Sequence, residues 1–205
     1  MTISRRMILG GGMAVAASAL MPGEAMAGFF SRTTRLYTDP NEEYEIRTRG
    51  LAMIPRQFRK RDVRHDTGYA PGTIVIDTGN RYLYFQQENG RALRYGVGIG
   101  RQGFSWNGTA TIRRKARWPD WYPPAAMRRR QPYLPRHVVG GLENPLGARA
   151  LYLYQGGRDT LYRIHGTIEP ESIGQAMSSG CVRMVNEEVV DLYEQVPIGT
   201  KVVVI

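Results

Sequence analysis

The chain has 205 residues, 28 Lys and Arg against 18 Asp and Glu, and a formal charge of +10. One cysteine excludes an intramolecular disulfide framework, and the length suits a single domain able to bury a real core. The positive balance fits polyanionic surroundings, but Arg-rich loops that merely keep a protein soluble produce the same balance, so charge alone assigns no substrate.

At the amino terminus Arg5 and Arg6 make a basic start, residues 7–20 are apolar and rich in small side chains, and Ala25-Met26-Ala27 fits the A-x-A cleavage pattern. We read residues 1–27 as a signal peptide. The apolar stretch falls short of the roughly 20 residues a bilayer crossing needs, so no permanent membrane span is expected, an uncleaved anchor being the alternative. Ser4-Arg5-Arg6-Met7-Ile8-Leu9 resembles a twin-arginine signal, and export to the periplasm or cell envelope by the Tat or Sec route is expected. There the acidic polymers of the envelope, not nucleic acid, are the polyanions at hand.

Residues 28–70 are charged and mixed, without a clean period, and read as an extension that packs on the domain or wraps it; the basic run 56–64 reads as a solvated face. From residue 71 the pattern turns to short strands. Residues 73–76 and 81–85 flank Asp77-Thr78-Gly79-Asn80 as a hairpin, and Glu88-Asn89-Gly90 turns into a third strand over 92–99. Gly96-x-Gly98-x-Gly100 lies at that strand's end without a following helix, so it carries little as a nucleotide loop. Further strands fall at 109–112, 150–154 and 160–164. The intervening segment 118–145, rich in Pro, Arg and aromatics, is long enough to expect a lid or a substrate wall. Pro170 starts a short predicted helix over 170–177. Asn186 as N-cap, Glu187 and Glu188 in the first turn, and Val189, Leu192, Tyr193 and Val196 on one face predict the main helix. Pro197 and Gly199 stop it, and residues 201–205 read as a buried strand.

The chemistry concentrates in His165-Gly166-Thr167 and in Ser178-Ser179-Gly180-Cys181-Val182-Arg183-Met184-Val185-Asn186. A thiol attacks as thiolate, so it needs a base within reach and positive potential nearby. His165, at a strand end, is the candidate base. Gly180 allows a tight turn in which backbone N–H groups converge beside the Cys181 sulfur. Arg183 is placed to favour thiolate or to hold a substrate carboxylate, and Asn186 to brace the loop. The bland alternatives are a satisfied structural histidine and a packed thiol. An unpaired thiol in an oxidising compartment with these neighbours argues against both. His65 and His137 have no cysteine or paired carboxylates in their segments, so no metal site is expected.

Ile164-His165-Gly166-Thr167 followed by Ser178-x-Gly180-Cys181-Val182-Arg183-Met184-x-Asn186 resembles the L,D-transpeptidases of the YkuD type. Trp118-Pro119-Asp120-Trp121-Tyr122-Pro123-Pro124 and Asn144-Pro145-Leu146-Gly147 are similar to recurring segments of that family. The resemblance covers residues 71–205 and leaves the extension outside; one departure is Ser179, where many relatives carry His or Lys. It implies a mainly β, YkuD-like sandwich or barrel with one or two short helices near the cysteine. It further implies ping-pong acyl transfer without a cofactor: Cys181 attacks a tetrapeptide stem of peptidoglycan before its terminal D-Ala, and His165 moves the proton. Gly180, Ser179 and Gly166 would hold the oxyanion or orient the imidazole; Arg183, Ser178, Asn186, Trp118 and Tyr122 would meet substrate. The acceptor stays open among a second stem (a 3-3 crosslink), water (an L,D-carboxypeptidase) and an envelope protein. An inactive wall-binding module is the non-enzymatic alternative.

Overall fold

The computed structural model describes residues 42–46, 49–100, 107–178 and 180–205, at 177 and 178 the backbone alone. The segment read as a signal peptide and the residue Ser179 lie outside these residues. The described strands are β1 (Arg61–Arg64), β2 (Ile74–Asp77), β3 (Tyr82–Gln86), β4 (Arg91–Gly96), β5 (Ile99–Gly100), β6 (Gly108–Arg117), β7 (Arg149–Gln155), β8 (Arg158–His165), β9 (Ala176–Ser178), β10 (Val182–Arg183) and β11 (Lys201–Val204). The described helices are α1 (Arg49–Met53), α2 (Ala125–Arg130) and α3 (Asn186–Gln195).

A mixed nine-stranded sheet runs β1-β4-β3-β2-β11-β6-β7-β8-β10, with β5 and β9 paired in a small second sheet. The hairpin predicted at residues 77–80 forms, with Asp77 facing Tyr82. β2 and β11 lie side by side in the middle, in parallel register from Ile74↔Val202 to Ile76↔Val204. Their unbroken apolar runs follow from burial on both faces. Ile74, Ile76, Val202 and Val204 enter the main core, where Val189 and Leu192 of α3 and Val196 just after it join them. Val75 points the other way, into a second cluster with Tyr84 and Ala92. Beyond β4 the chain bends back to β10, where Gly98 and Arg183 exchange two backbone hydrogen bonds of 2.9 and 2.8 Å. That contact curls one half of the sheet onto the other and answers the glycine pattern: a Cβ on Gly98 would lie 2.7 Å from the Ser172 carbonyl oxygen.

Two local expectations need correction, the helix over 170–177 and the Asn186 cap, and two other segments gain structure. The basic run 56–64 contains an edge strand, since β1 pairs antiparallel with β4 from Arg61↔Arg94 to Arg64↔Arg91. Its arginines are exposed, as suits a strand with an open edge. Residues 170–177 form only the 3-10 turn Pro170–Ser172, because Ala176 is recruited into β9 opposite Ile99. The helix α3 starts at Asn186, with Val185 at the N-cap position and no side-chain cap, so Asn186 is free for another task. The insertion 118–145 is self-braced: it holds α2 and a bridge between Trp121 and Val138.

Candidate active site

His165 is the last residue of β8, between Ala150 of β7 and Arg183 of β10. It is 5% exposed. Its Nδ1 lies 2.6 Å from the Gly166 carbonyl oxygen. A carbonyl only accepts, so Nδ1 carries the ring hydrogen and Nε2 keeps its lone pair. Burial pushes the imidazole down to about 4; the Gly166 carbonyl opposes this, as does the Leu146 backbone to a lesser degree, and the charges of Arg183 and Arg163 add to it. The ring is therefore neutral near pH 7.

Cys181 directly precedes β10, and the parallel pairing of Val182 with Ile164 and Arg183 with His165 sets it alongside the last residues of β8. Gly180 takes φ +129°, and a Cβ there would meet the Tyr162 ring at 3.1 Å, so both backbone and space ask for glycine. The thiol is partly exposed, and Sγ lies 3.9 Å from the Leu161 carbonyl oxygen. Burial pushes its pKa up, while the Arg163 backbone and the charges of Arg163 and Arg183 pull it back. The resting thiol and the resting imidazole are both neutral near pH 7.

Asn186 acts as a brace. Its Oδ1 accepts from the Ala148 N–H at 3.0 Å and lies where a Cβ on Gly166 or Gly147 would be, at 2.1 and 2.2 Å. The loop after His165 and the segment leading into β7 are thereby locked to the start of α3. Arg183 Nη1 donates to Glu169 Oε2 at 2.7 Å, so the carboxylate it meets belongs to the chain itself. Trp118 is buried with Ile46, Ala148 and Val190, and it also contributes to a cleft of about 270 Å³ shared with Arg49, Thr167, Asn186 and Glu187. Tyr122 does not line that cleft; it is exposed and stacks on His137 at 4.6 Å. Ser178 lies in β9, opposite Gly100. His137 does have a carboxylate neighbour, Asp120 at 2.9 Å, yet among the described residues no group of three or more His, Cys, Asp and Glu is placed to hold a metal.

Sequence reasoning missed the ionic brace behind this site. Arg149, 1% exposed, is gripped by Glu42 through Nη1 at 2.8 Å and Nη2 at 2.5 Å. An arginine framed by Ala148 and Ala150 at the start of a buried strand was the available signal, since such a charge requires a partner.

A family model described as the YkuD L,D-transpeptidase catalytic domain matches residues 71–204. The chain belongs to the YkuD family. This YkuD-family chain is 36% identical over 155 residues to the Probable L,D-transpeptidase YbiS of Escherichia coli K12, covering 73% of the chain and 47% of YbiS. It thus spans about half the length of that curated relative. Among solved structures, a protein described as a Probable carnitine operon oxidoreductase from Brucella melitensis is 46% identical, with a TM-score of 0.52 over 78% of this chain and 100% of that one. That activity is said of the Brucella protein; the family of this chain rests on the family model. The Ldtfm–avibactam carbamoyl enzyme, at 17% identity and a TM-score of 0.51 over 67% of this chain and 49% of that one, shares the fold. Among the described residues, no helix is long and apolar enough to cross a membrane.

Proposed function

We propose that this chain is an exported L,D-transpeptidase that forms an acyl-enzyme on Cys181 with peptidoglycan tetrapeptide stems and resolves it into 3-3 crosslinks. The observation that carries the reading is the hydrogen bond from His165 Nδ1 to the Gly166 carbonyl, because it leaves Nε2 as the proton acceptor. The Cys181 thiol gives its proton to Nε2 as sulfur attacks the carbonyl between the L-centre of the stem's diamino acid and the terminal D-Ala. Backbone N–H groups of Gly180 and Cys181 hold the oxyanion, each donor contributing about 3 kcal/mol to the transition state. The imidazolium returns its proton to the departing D-Ala amine. A side-chain amine of a second stem then attacks the thioester and regenerates the thiol.

Arg183 supplies positive potential and competes for a substrate carboxylate by exchanging it for Glu169. Asn186 acts through the loop it braces, and Trp118 through the cleft wall. Residues 1–27 serve as the signal, 28–70 as the extension and 71–205 as the catalytic unit, working without a cofactor.

The test is mass spectrometry of the products formed from purified tetrapeptide muropeptides. A crosslinked dimer that has lost one D-Ala is expected. A lone tripeptide would reassign the protein as a carboxypeptidase, and a stem joined to a protein lysine as an anchoring enzyme. No D-Ala release, together with no mass gain on Cys181 from a carbapenem, would leave only an inactive wall-binding module.

A further inference from the structure

We infer that Glu42, which lies outside the region matched by the family model, is a positioning residue for His165. Three links lead from one to the other. The Glu42 carboxylate, 5% exposed, accepts from both terminal nitrogens of Arg149, a bidentate pair. The backbone carbonyl of Arg149 accepts the Gly166 N–H at 3.0 Å. The Gly166 carbonyl then accepts from His165 Nδ1 at 2.6 Å.

The clamp holds more than one side chain. Glu42 Oε1 also accepts from Trp118 Nε1 at 2.5 Å, and Oε2 from Arg117 Nη2 at 3.0 Å. Trp118 N–H and Arg149 Nη1 both donate to the Ala148 carbonyl, each at 2.9 Å. The Ala148 carbonyl is therefore held by Trp118 and Arg149, both gripped by Glu42, while the Ala148 N–H is held by Asn186.

Removing the Glu42 charge leaves the Arg149 guanidinium buried. Among the described residues the other carboxylate near it is Glu194, 4.0 Å away and 63% exposed. The guanidinium is then drawn outward toward Glu194 and the Tyr193 ring, which lies 5.3 Å away. The start of β7 moves with it, and the Gly166 turn loses its N–H anchor. An imidazole no longer held at Nδ1 samples the tautomer with hydrogen on Nε2, which has no lone pair to receive the thiol proton. The kinetic part of this inference rests on the reading of His165 as the general base; the tautomer part does not.

The experiment uses the full chain labelled with ¹⁵N-histidine; with three histidines, long-range ¹H–¹⁵N spectra give the tautomer of each. The wild type is expected to show His165 with hydrogen on Nδ1 alone. Glu42→Ala and the near-isosteric Glu42→Gln are expected to show a mixture. In the same variants, acylation of Cys181 by imipenem is expected to slow about tenfold at saturating drug, with half-saturation unchanged, at a temperature where all stay folded. If the alanine variant does not fold, the glutamine variant carries the test. Ile74→Val, a buried change in β2, controls for lost stability and is expected to leave the tautomer unchanged. A single Nδ1–H tautomer in the Glu42 variants, with acylation within about twofold of wild type, would overturn the positioning role and leave Glu42 as a stability residue only. A wild type that imipenem does not acylate, alongside a tautomer shift in the variants, would sink the enzymatic reading and keep the positioning link.

Discussion

His165 Nδ1 and the carbonyl oxygen of Gly166, its own chain neighbour, meet at 2.6 Å inside a site where the imidazole is 5% exposed. The bond fixes the tautomer, and the burial fixes the charge. Together they keep a free base available in acid, where an ordinary histidine would be protonated. The rate of carbapenem acylation is expected to hold from pH 7 downward and to fall with a midpoint near the His165 value of about 4. A midpoint near 6.5 would show that the ring is solvated in the working enzyme. The sign for stability follows. Between pH 6.5 and about 4 the unfolded chain binds a proton that the folded chain refuses, so the contribution of His165 is full above that window and is lost as pH falls through it.

Cys181 is partly exposed, so truncating it leaves no large cavity. Cys181→Ala is expected to abolish the carbapenem mass adduct and muropeptide crosslinking, while changing stability by no more than about 0.5 kcal/mol. Crosslinking retained in this variant, followed by liquid chromatography of the digested products, would disprove the nucleophile assignment.

Glu188 produces the opposite pH slope. It is 2% exposed, one oxygen accepts from the Lys60 N–H at 2.6 Å, and the other has no partner. Burial pushes its carboxyl up to about 8, with Glu187 and Asp191 adding to the effect against Lys60. Between pH 4.5 and 8 the unfolded chain has released a proton that the folded chain retains, so stability falls as pH rises through that window. Glu188→Gln is expected to flatten this slope and to be more stable than wild type at pH 8.5. Urea denaturation from pH 5 to 9 measures both; parallel curves for the two proteins would contradict the raised value.

Asn186 and Gly166 form a pair suited to a double-mutant cycle. Asn186→Ala leaves the fully buried Ala148 N–H without its acceptor, at a cost of about 1–3 kcal/mol. Gly166→Ala drives a methyl into Asn186 Oδ1, which sits 2.1 Å from the site of the new Cβ. In the Asn186→Ala background that clash is gone, so the second substitution is expected to cost less there than in the wild type. Additive thermal shifts would mean that the two residues are uncoupled.

The placement of His165 at a strand end and of Cys181 after a glycine turn was legible because these residues are packed into short motifs. The hairpin at 77–80 and the buried strands were legible from turn chemistry and apolar runs. The edge strand β1 was not, since Arg-Asp-Val-Arg has no alternating apolar face and an open edge asks for none. The helix predicted over 170–177 lost to a tertiary partner, because β5 claims Ala176. Asn186 was read both as a cap and as a brace for the loop; the cap does not form, and its side chain braces Ala148, 38 residues away. The grip of Glu42 on Arg149 spans 107 positions, so the framed arginine signals the need for a partner but no local pattern names Glu42 as that partner.

The place of β11 in the sheet has a consequence for how the chain is made. β11 follows every other described strand in sequence, yet it sits between β2 and β6 and is hydrogen-bonded to both. Until residues 201–204 have left the ribosome, the β2 edge of the ribbon β1-β4-β3-β2 and the β6 edge of the ribbon β6-β7-β8-β10 face a missing partner. A nascent chain cannot lock early, and a stop codon ahead of Lys201 leaves both ribbons exposed to pairing with other chains.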